Sequence, residues 1–440
     1  MPPHAPSFDG DLLTDAETRR AAADDFGHLV RRVPRAVLRA RSAQDVAAAV
    51  RWAAGNGWPV AARGQGHSVY GRSQAEDGLV IDTSGLAGIG RVGGDRVSVG
   101  AGATWREVRN AALGAGLTPP VLTNYLDQSV GGTLSVGGIG GTSHRYGMQS
   151  DNVLELEVVT GDGSVRTCSP TAHADLFDAV RAGLGRCGIV TRATLALVPA
   201  PERVRRYTLR YPDLATFAGD QELLVRERRA DHLQGTVRAE GGVWRHQVEV
   251  VVFGDGTDLP DLRDCGADRQ VEELTYREHA DAFDRFTALL RSTGEWSNPH
   301  PWWLTFLPGS TAVATARGVL DLVTPEDLGE HGLVTFYPVA TAAMATPLVR
   351  LPDEPIVYVC NLIRFTSSRD DQRLPGMLAQ NRTLYDHVRA SGGVLYPVSA
   401  LPFDERDWAA HFGPSWPAVR RARQRYDPAG VLTPGYTSDS

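Results

Sequence analysis

The sequence predicts a two-domain α+β protein whose second domain is inserted before a C-terminal return to the first. Three observations carry this expectation. Residues 1–202 alternate short strands with helices and hold two glycine-rich segments. Residues 203–395 change character, mixing longer strands with amphipathic helices, and residues 396–440 close with an aromatic helix and an extended tail. At 440 residues the chain can build two or three cores, and with 42% hydrophobic and 22% charged residues it is neither disordered, fibrous nor coiled-coil.

The elements follow in order. Ser42 is placed to cap a helix running through Asp45 to Trp52 and stopping at Gly55. Pro59–Ala62 reads as a short strand entering the turn Arg63-Gly64-Gln65-Gly66-His67-Ser68, with further strands at Leu79–Asp82 and Arg96–Val99. Thr104 opens a helix that ends near Gly114 to Gly116. Val153–Val159 and Ser164–Thr167 flank Gly161-Asp162-Gly163, a hairpin signal. Farther on, Gln247–Phe253 and Ile356–Phe365 read as strands, His279–Leu290 as one amphipathic helix, and Trp408–Tyr426 as one helix before Asp427-Pro428-Ala429-Gly430.

Several function classes drop out. No apolar run approaches the roughly 20 residues of a membrane helix. Met1 to Arg20 is polar and acidic, unlike a signal peptide, so a cytoplasmic protein is expected. A net charge of -7 argues against nucleic acid as the partner. Cys168, Cys187, Cys265 and Cys360 lie far apart, and no CxxC, HExxH or EF-hand pattern occurs, so no metal site is expected. All 45 basic residues are arginine, which removes lysine-based chemistry, including a P-loop and a Schiff base.

Gly183-Leu184-Gly185-Arg186-Cys187-Gly188 fits GxGxxG, but a helical stretch precedes it and a strand follows. That order is the reverse of a dinucleotide fingerprint and indicates a helix-to-strand turn. Arg63 to Ser68 says more. Its alternating glycines free three or four backbone N–H groups to converge on an anion such as a pyrophosphate. Arg63 adds charge there or forms a surface ion pair; His67 meets the ligand or is a hydrogen-bonded turn histidine. The second segment, Ser129 to Gly141, holds Gly131, Gly132, Gly137, Gly138, Gly140 and Gly141, suggesting backbone packed against a flat ligand or other backbone. Ser129, Thr133 and Ser135 offer hydroxyls for phosphates. Thr133 stands where a hydrolase elbow needs its first glycine.

These segments, in this order, resemble the FAD-linked oxidases of the vanillyl-alcohol oxidase type, with a PCMH-type FAD-binding domain, and among them the cytokinin dehydrogenases most. The likeness continues through Asn152 to Glu155, Val159 to Gly163, Ala174 to Val180, Ile189 to Ala193, His300-Pro301-Trp302 through Phe306, Tyr337-Pro338 and Asp427 to Gly435. It implies an FAD domain from residues 1–202 with a return at 396–440, and a substrate domain at 203–395 built on an antiparallel sheet. It implies covalent FAD on His67, and no second cysteinyl bond because Asp127 holds that position. It implies that Arg63, Gly64, Gln65, Gly66, Ser68, Ser129, Gly131, Gly132, Ser135, Ile139 and Val190 surround the cofactor, and that small Val130 leaves a path for O2.

Where cytokinin dehydrogenases carry a substrate-binding aspartate in a Thr-Asp-Tyr context, this chain reads Thr123-Asn124-Tyr125. An amide orients by hydrogen bonding but is no base near neutral pH. Asp127 supplies a replacement carboxylate or is merely structural. The expected catalytic set is Asn124, Tyr125 and Asp127. The expected substrate contacts add Trp302, Trp303 and Asn361, the tryptophans stacking on a planar substrate or packing as core and rim. The expected activity is an FAD-dependent oxidase taking a hydride from a C–H next to O or N, with O2 reduced to H2O2. The alternative is a cytokinin-dehydrogenase-like amine dehydrogenase using a quinone. Oligomeric state stays open.

Overall fold

The computed structural model describes residues 5–254, 259 and 261–436. The first lobe holds two four-stranded sheets. In one, Ala36–Arg39, Leu79–Asp82 and Val60–Arg63 run parallel, with Asp11–Leu13 antiparallel at the edge. Between Ala36–Arg39 and Val60–Arg63 runs the helix Ala43–Gly55, started by Ser42, whose side chain accepts from the Asp45 N–H. Its Val46, Ala49, Val50 and Ala53 pack on Leu38, Val60, Leu79 and Ile81, the usual burial of a helical stripe on a parallel sheet. The other sheet is antiparallel, ordered Arg96–Gly100, Ile189–Ala196, Val153–Val159, Val165–Cys168, the last two joined as the hairpin read from Gly161 to Gly163. Helix Trp105–Leu113 begins at a full capping box between Thr104 and Glu107.

Residues 203–395 form one eight-stranded antiparallel sheet, ordered Gln270–Thr275, Arg203–Tyr211, Val243–Phe253, His232–Glu240, Leu333–Ala340, Ile356–Ile363, Trp303–Pro308 and Val394–Leu395. Its register separates two faces. Leu209, Val237, Val248, Val250, Phe336 and Leu362 bury one face under the helices Leu214–Arg226, Ala312–Leu322 and Leu374–Ala390. Arg206, Gln234, Thr236, Gln247, Thr335 and Asn361 stand on the other face and look toward the first lobe.

The chain end returns to the first lobe. The Val60 N–H donates to Val431 O at 2.7 Å and the Thr433 N–H to Val60 O at 2.9 Å. Buried Asp427 accepts from the Val431 and Leu432 N–H groups, both at 3.0 Å.

Two helices break where the sequence reading ran them through. Glu405–Phe412 and Trp416–Tyr426 are separated by a 3₁₀ turn at Gly413–Ser415, because Pro414 has no N–H to continue the ladder. The other splits into Tyr276–Ala280 and Phe283–Thr293. Its first piece is set three residues early by a Thr275–Glu278 capping box, and the carboxylate of Asp281 at the break turns to Arg106 and Arg109. Gly183 to Gly188 lies between the helix Ala174–Val180 and the strand Ile189–Ala196, a helix-to-strand turn. Among the described residues no helix is long and apolar enough to cross a membrane.

Candidate active site between the lobes

A cavity of about 660 Å³ lies between the lobes, lined by the 64–69 loop, the second glycine-rich segment, the C-terminal turn and the polar sheet face. The loop is its most reactive wall. The backbone N–H groups of Gln65, Gly66, His67 and Ser68 meet no acceptor among the described residues, so four donors are left for a ligand. Gly66 is left-handed at φ +65°, and a Cβ there would sit 2.3 Å from the Arg63 guanidinium. Asp25 clamps the loop from behind, accepting from Ser68 Oγ at 2.8 Å, the Gly71 N–H at 2.7 Å and the Gly27 N–H at 3.1 Å. Burial pushes its carboxyl up to about 6 against the pull of those bonds and of Arg63.

Arg63 itself is behind the loop, donating to Asp24 O at 2.6 Å, and does not line the cavity as the sequence reading had placed it. Arg72, which that reading missed, does line it. Its guanidinium stacks 4.5 Å over the Tyr436 ring and donates to the carbonyls of Gly435 and Leu401. Two arginines therefore put positive potential beside the four free N–H groups.

Gly64, Ser129, Gly131, Gly132, Ser135, Ile139 and Val190 line the same cavity. Gly64 lets Ser129 sit close, since a Cβ there would fall 1.9 Å from Ser129 Oγ and push that side chain away. Ser129 Oγ bonds to no protein group among the described residues. Thr133 is occupied by Trp105 Nε1 at 2.7 Å, and Ser135 donates to Gly131 O at 2.8 Å, so the expected row of three free hydroxyls shrinks to one. Val130 is fully buried in the core and does not line the cavity.

His67 faces an aromatic slot, its ring centroid 4.0 Å from Phe26, 4.7 Å from Tyr125, 6.0 Å from Trp296 and 6.4 Å from Trp302. Neither ring nitrogen has a hydrogen-bond partner among the described residues. Burial pulls the imidazole down to about 3, with Asp127 opposing weakly, so it is neutral and keeps a lone pair. Tyr125 is raised by burial and by Asp127 and stays a phenol. Asn124 lines the cavity beside it.

Asp127 does not serve as the free carboxylate suggested by sequence. Arg106 takes both its oxygens, at 2.5 and 3.2 Å, and it does not line the cavity. Strand alternation likewise separates the tryptophans: Trp302 lines the cavity, whereas Trp303 is fully buried on the helix-covered face. Asn361 lines the cavity while its Oδ1 accepts from the Thr305 N–H at 3.2 Å. Phe283, Phe286 and Phe365 complete the slot; nothing in their local sequence marked them.

Residues 34–169 match the model of an FAD binding domain, and residues 262–437 match "Cytokinin dehydrogenase 1, FAD and cytokinin binding". An uncharacterized oxidoreductase from the fasciation locus of Rhodococcoides fascians is 38% identical over 96% of this chain and 98% of its own length. Cytokinin dehydrogenase 10 of Oryza sativa subsp. japonica is 34% identical over 96% of this chain and 88% of its own. Among solved structures, 6-hydroxy-D-nicotine oxidase of Arthrobacter nicotinovorans superposes with a TM-score of 0.73 at 22% identity, covering 97% of this chain and 96% of that one. Physcomitrella patens BBE-like 1 superposes at 0.75 and 19% identity, covering 96% and 95%. These two show the two-lobe flavoprotein fold.

Proposed function

The chain belongs to the cytokinin dehydrogenase family of FAD-dependent oxidoreductases, and from that premise we propose that it oxidises a C–H bond next to the nitrogen of a flat N-alkyl aromatic amine, an N-alkyl purine being the model. One observation carries this reading: the free N–H groups, His67 and an aromatic slot open into one cavity. The residues fit FAD. Four N–H groups and Arg72 suit a pyrophosphate, and glycines at 64, 131 and 132 leave room for close approach along the cavity. FAD, when bound, supplies the two-electron acceptor for the substrate hydride and passes the electrons to O2, giving H2O2, or to a quinone.

The protein's own residues do the rest. His67, neutral and unbonded, is available as a covalent tether. Trp302, Tyr125 and Trp296 hold a planar ring by stacking, a contribution of about 1 kcal/mol per pair beyond burial. Asn124 orients a polar group of the substrate without taking its proton.

A second reading, oxidation next to oxygen, is favoured by one observation. Asn124 is neutral, so no carboxylate stands at that position to greet a protonated amine. The test is an absorption spectrum before and after acid precipitation, followed by peroxide detection with N6-(3-methylbut-2-enyl)adenine and with primary alcohols. Yellow colour in the pellet and bleaching by the purine support the main reading. Bleaching by alcohols alone selects the second, and a colourless protein that refuses added FAD overturns both.

A further inference from the structure

Oxidising H–C–N–H or H–C–O–H releases a hydride and also a proton, and the residues named so far provide no acceptor for the proton. Asn124 is an amide, Asp127 is locked to Arg106, Tyr125 holds its own proton, and His67 is assigned to the cofactor. A buried cluster on the polar sheet face meets this need. His232, at the start of strand His232–Glu240, lies diagonally across from Glu249 on the neighbouring strand. Its Nδ1 is sealed from solvent, has no hydrogen-bond partner among the described residues, and lies 4.0 Å from Glu249 Oε1. Arg206, one strand farther, sits 3.7 Å from Glu249 Oε2 and donates to Glu272 at 2.7 Å, which holds the carboxylate in place. The opposite edge of the imidazole, carrying Nε2, has no hydrogen-bond partner among the described residues, and His232 lines the cavity. The ring rests on Gly141, where a Cβ would fall 2.2 Å from Nε2, so only glycine leaves that edge in place. The other groups facing it are His279, edge-on at 4.8 Å, and His144, which is tied to the carbonyls of Gly141 and Ala230. Burial, with His279, His144 and Arg206, holds the free imidazole neutral.

We propose that His232 is the catalytic base, Nε2 taking the substrate's N–H or O–H proton while Glu249 positions the ring through Nδ1–H. This rests on the proposed reaction. The C–H electron pair leaves as hydride with the flavin as acceptor; the N–H electron pair becomes the C=N π bond; the proton stays on Nε2. The new imidazolium then faces the Glu249 carboxylate, the same logic by which a carboxylate orients a catalytic histidine elsewhere. A spacing of 4.0 Å is loose for that bond, as such contacts often are before substrate binds.

Nitrogen-15 NMR of histidine-labelled protein, with His232 assigned by the signal lost in His232→Gln, reads the tautomer with no substrate present. A neutral ring with Nδ1–H and a bare Nε2, scrambled in Glu249→Gln, is the expected result; an Nε2–H tautomer overturns the proposal. Stopped-flow bleaching with N6-(3-methylbut-2-enyl)adenine then separates the two inferences. His232→Gln should slow bleaching by about 10²-fold or more and lose the acid limb of the pH profile. Wild type that bleaches while His232→Gln matches its rate overturns the base but leaves the function. Wild type that bleaches with neither amines nor alcohols overturns both.

Discussion

His67 was legible because it follows Gly64 and Gly66 in a loop that resembles the flavin-binding loop of a known family; its companions were not. The covalent-tether reading is checked by His67→Ala, which should bind FAD and release all of it into the supernatant on acid precipitation. Colour that stays in the His67→Ala pellet would place the bond on another residue. Gly66 gives a second test. Its left-handed backbone costs an L-residue about 1–2 kcal/mol, and a Cβ would displace the Arg63 guanidinium from under the loop. Gly66→Ala should therefore weaken FAD binding roughly tenfold or more in a titration of flavin-free protein; unchanged affinity would show that the four N–H groups do not hold the pyrophosphate. At this scale the misreadings have one cause. Asp127 and Trp303 were judged by what they are, whereas Arg106 and strand parity decide where their polar atoms and rings go. Arg72 was invisible because the Tyr436 ring that stacks it arrives from the other end of the chain.

The pair of short helices Tyr276–Ala280 and Phe283–Thr293 forms one cavity wall, and charge ties its break to the first lobe. Arg106, on Trp105–Leu113, reaches Asp281 at 2.9 Å and Asp284 at 2.8 Å besides Asp127, and Arg109 reaches Asp281 at 2.6 Å. All of these groups but the buried Arg109 are partly exposed, so the network around Arg106 contributes roughly 1 kcal/mol rather than several. Its effect belongs to position more than stability. Arg106→Met should raise KM severalfold with little change in melting temperature, and added NaCl should raise the wild-type KM more than the variant's. Equal salt dependence in the two proteins would show that the wall does not depend on this latch. The sequence displayed the strands well, because alternation survives in a sheet with one apolar and one polar face. It hid both helix breaks: one needed Pro414 to be weighed against a strong aromatic pattern, the other needed a distant arginine.

At the scale of the whole molecule, buried histidines occupy the seams between parts. His300, in the inserted region, takes its place beside the first lobe, with Nδ1 2.6 Å from Phe26 O and its N–H donating to Gly27 O at 2.9 Å. His411 is buried beside Phe403, Trp408 and Phe412 in the C-terminal return, with both ring nitrogens unpartnered. His279 lines the cavity. Burial pulls His300 and His411 down to about 3 and His279 to about 4. Their folded values lie below the unfolded 6.5, so the unfolded chain binds more protons, and the stability they contribute is lost as pH falls from about 6.5 toward 4. At pH 5 each such group costs about 2 kcal/mol relative to neutral pH. Asp25 works the other way. Raised to about 6 in the folded state, it favours folding on acidification between about 6 and 3.8, as do the raised Glu249 and Asp427, but the lowered histidines, which also include His67, His144, His232 and His246, outnumber these acids. Melting temperature should therefore fall steeply between pH 7 and pH 5, and His411→Leu, which removes one titrating group without leaving a charge to bury, should flatten the slope. A melting temperature constant across that range would mean that these seams admit protons, and that the lobes are joined more loosely than the buried imidazoles imply.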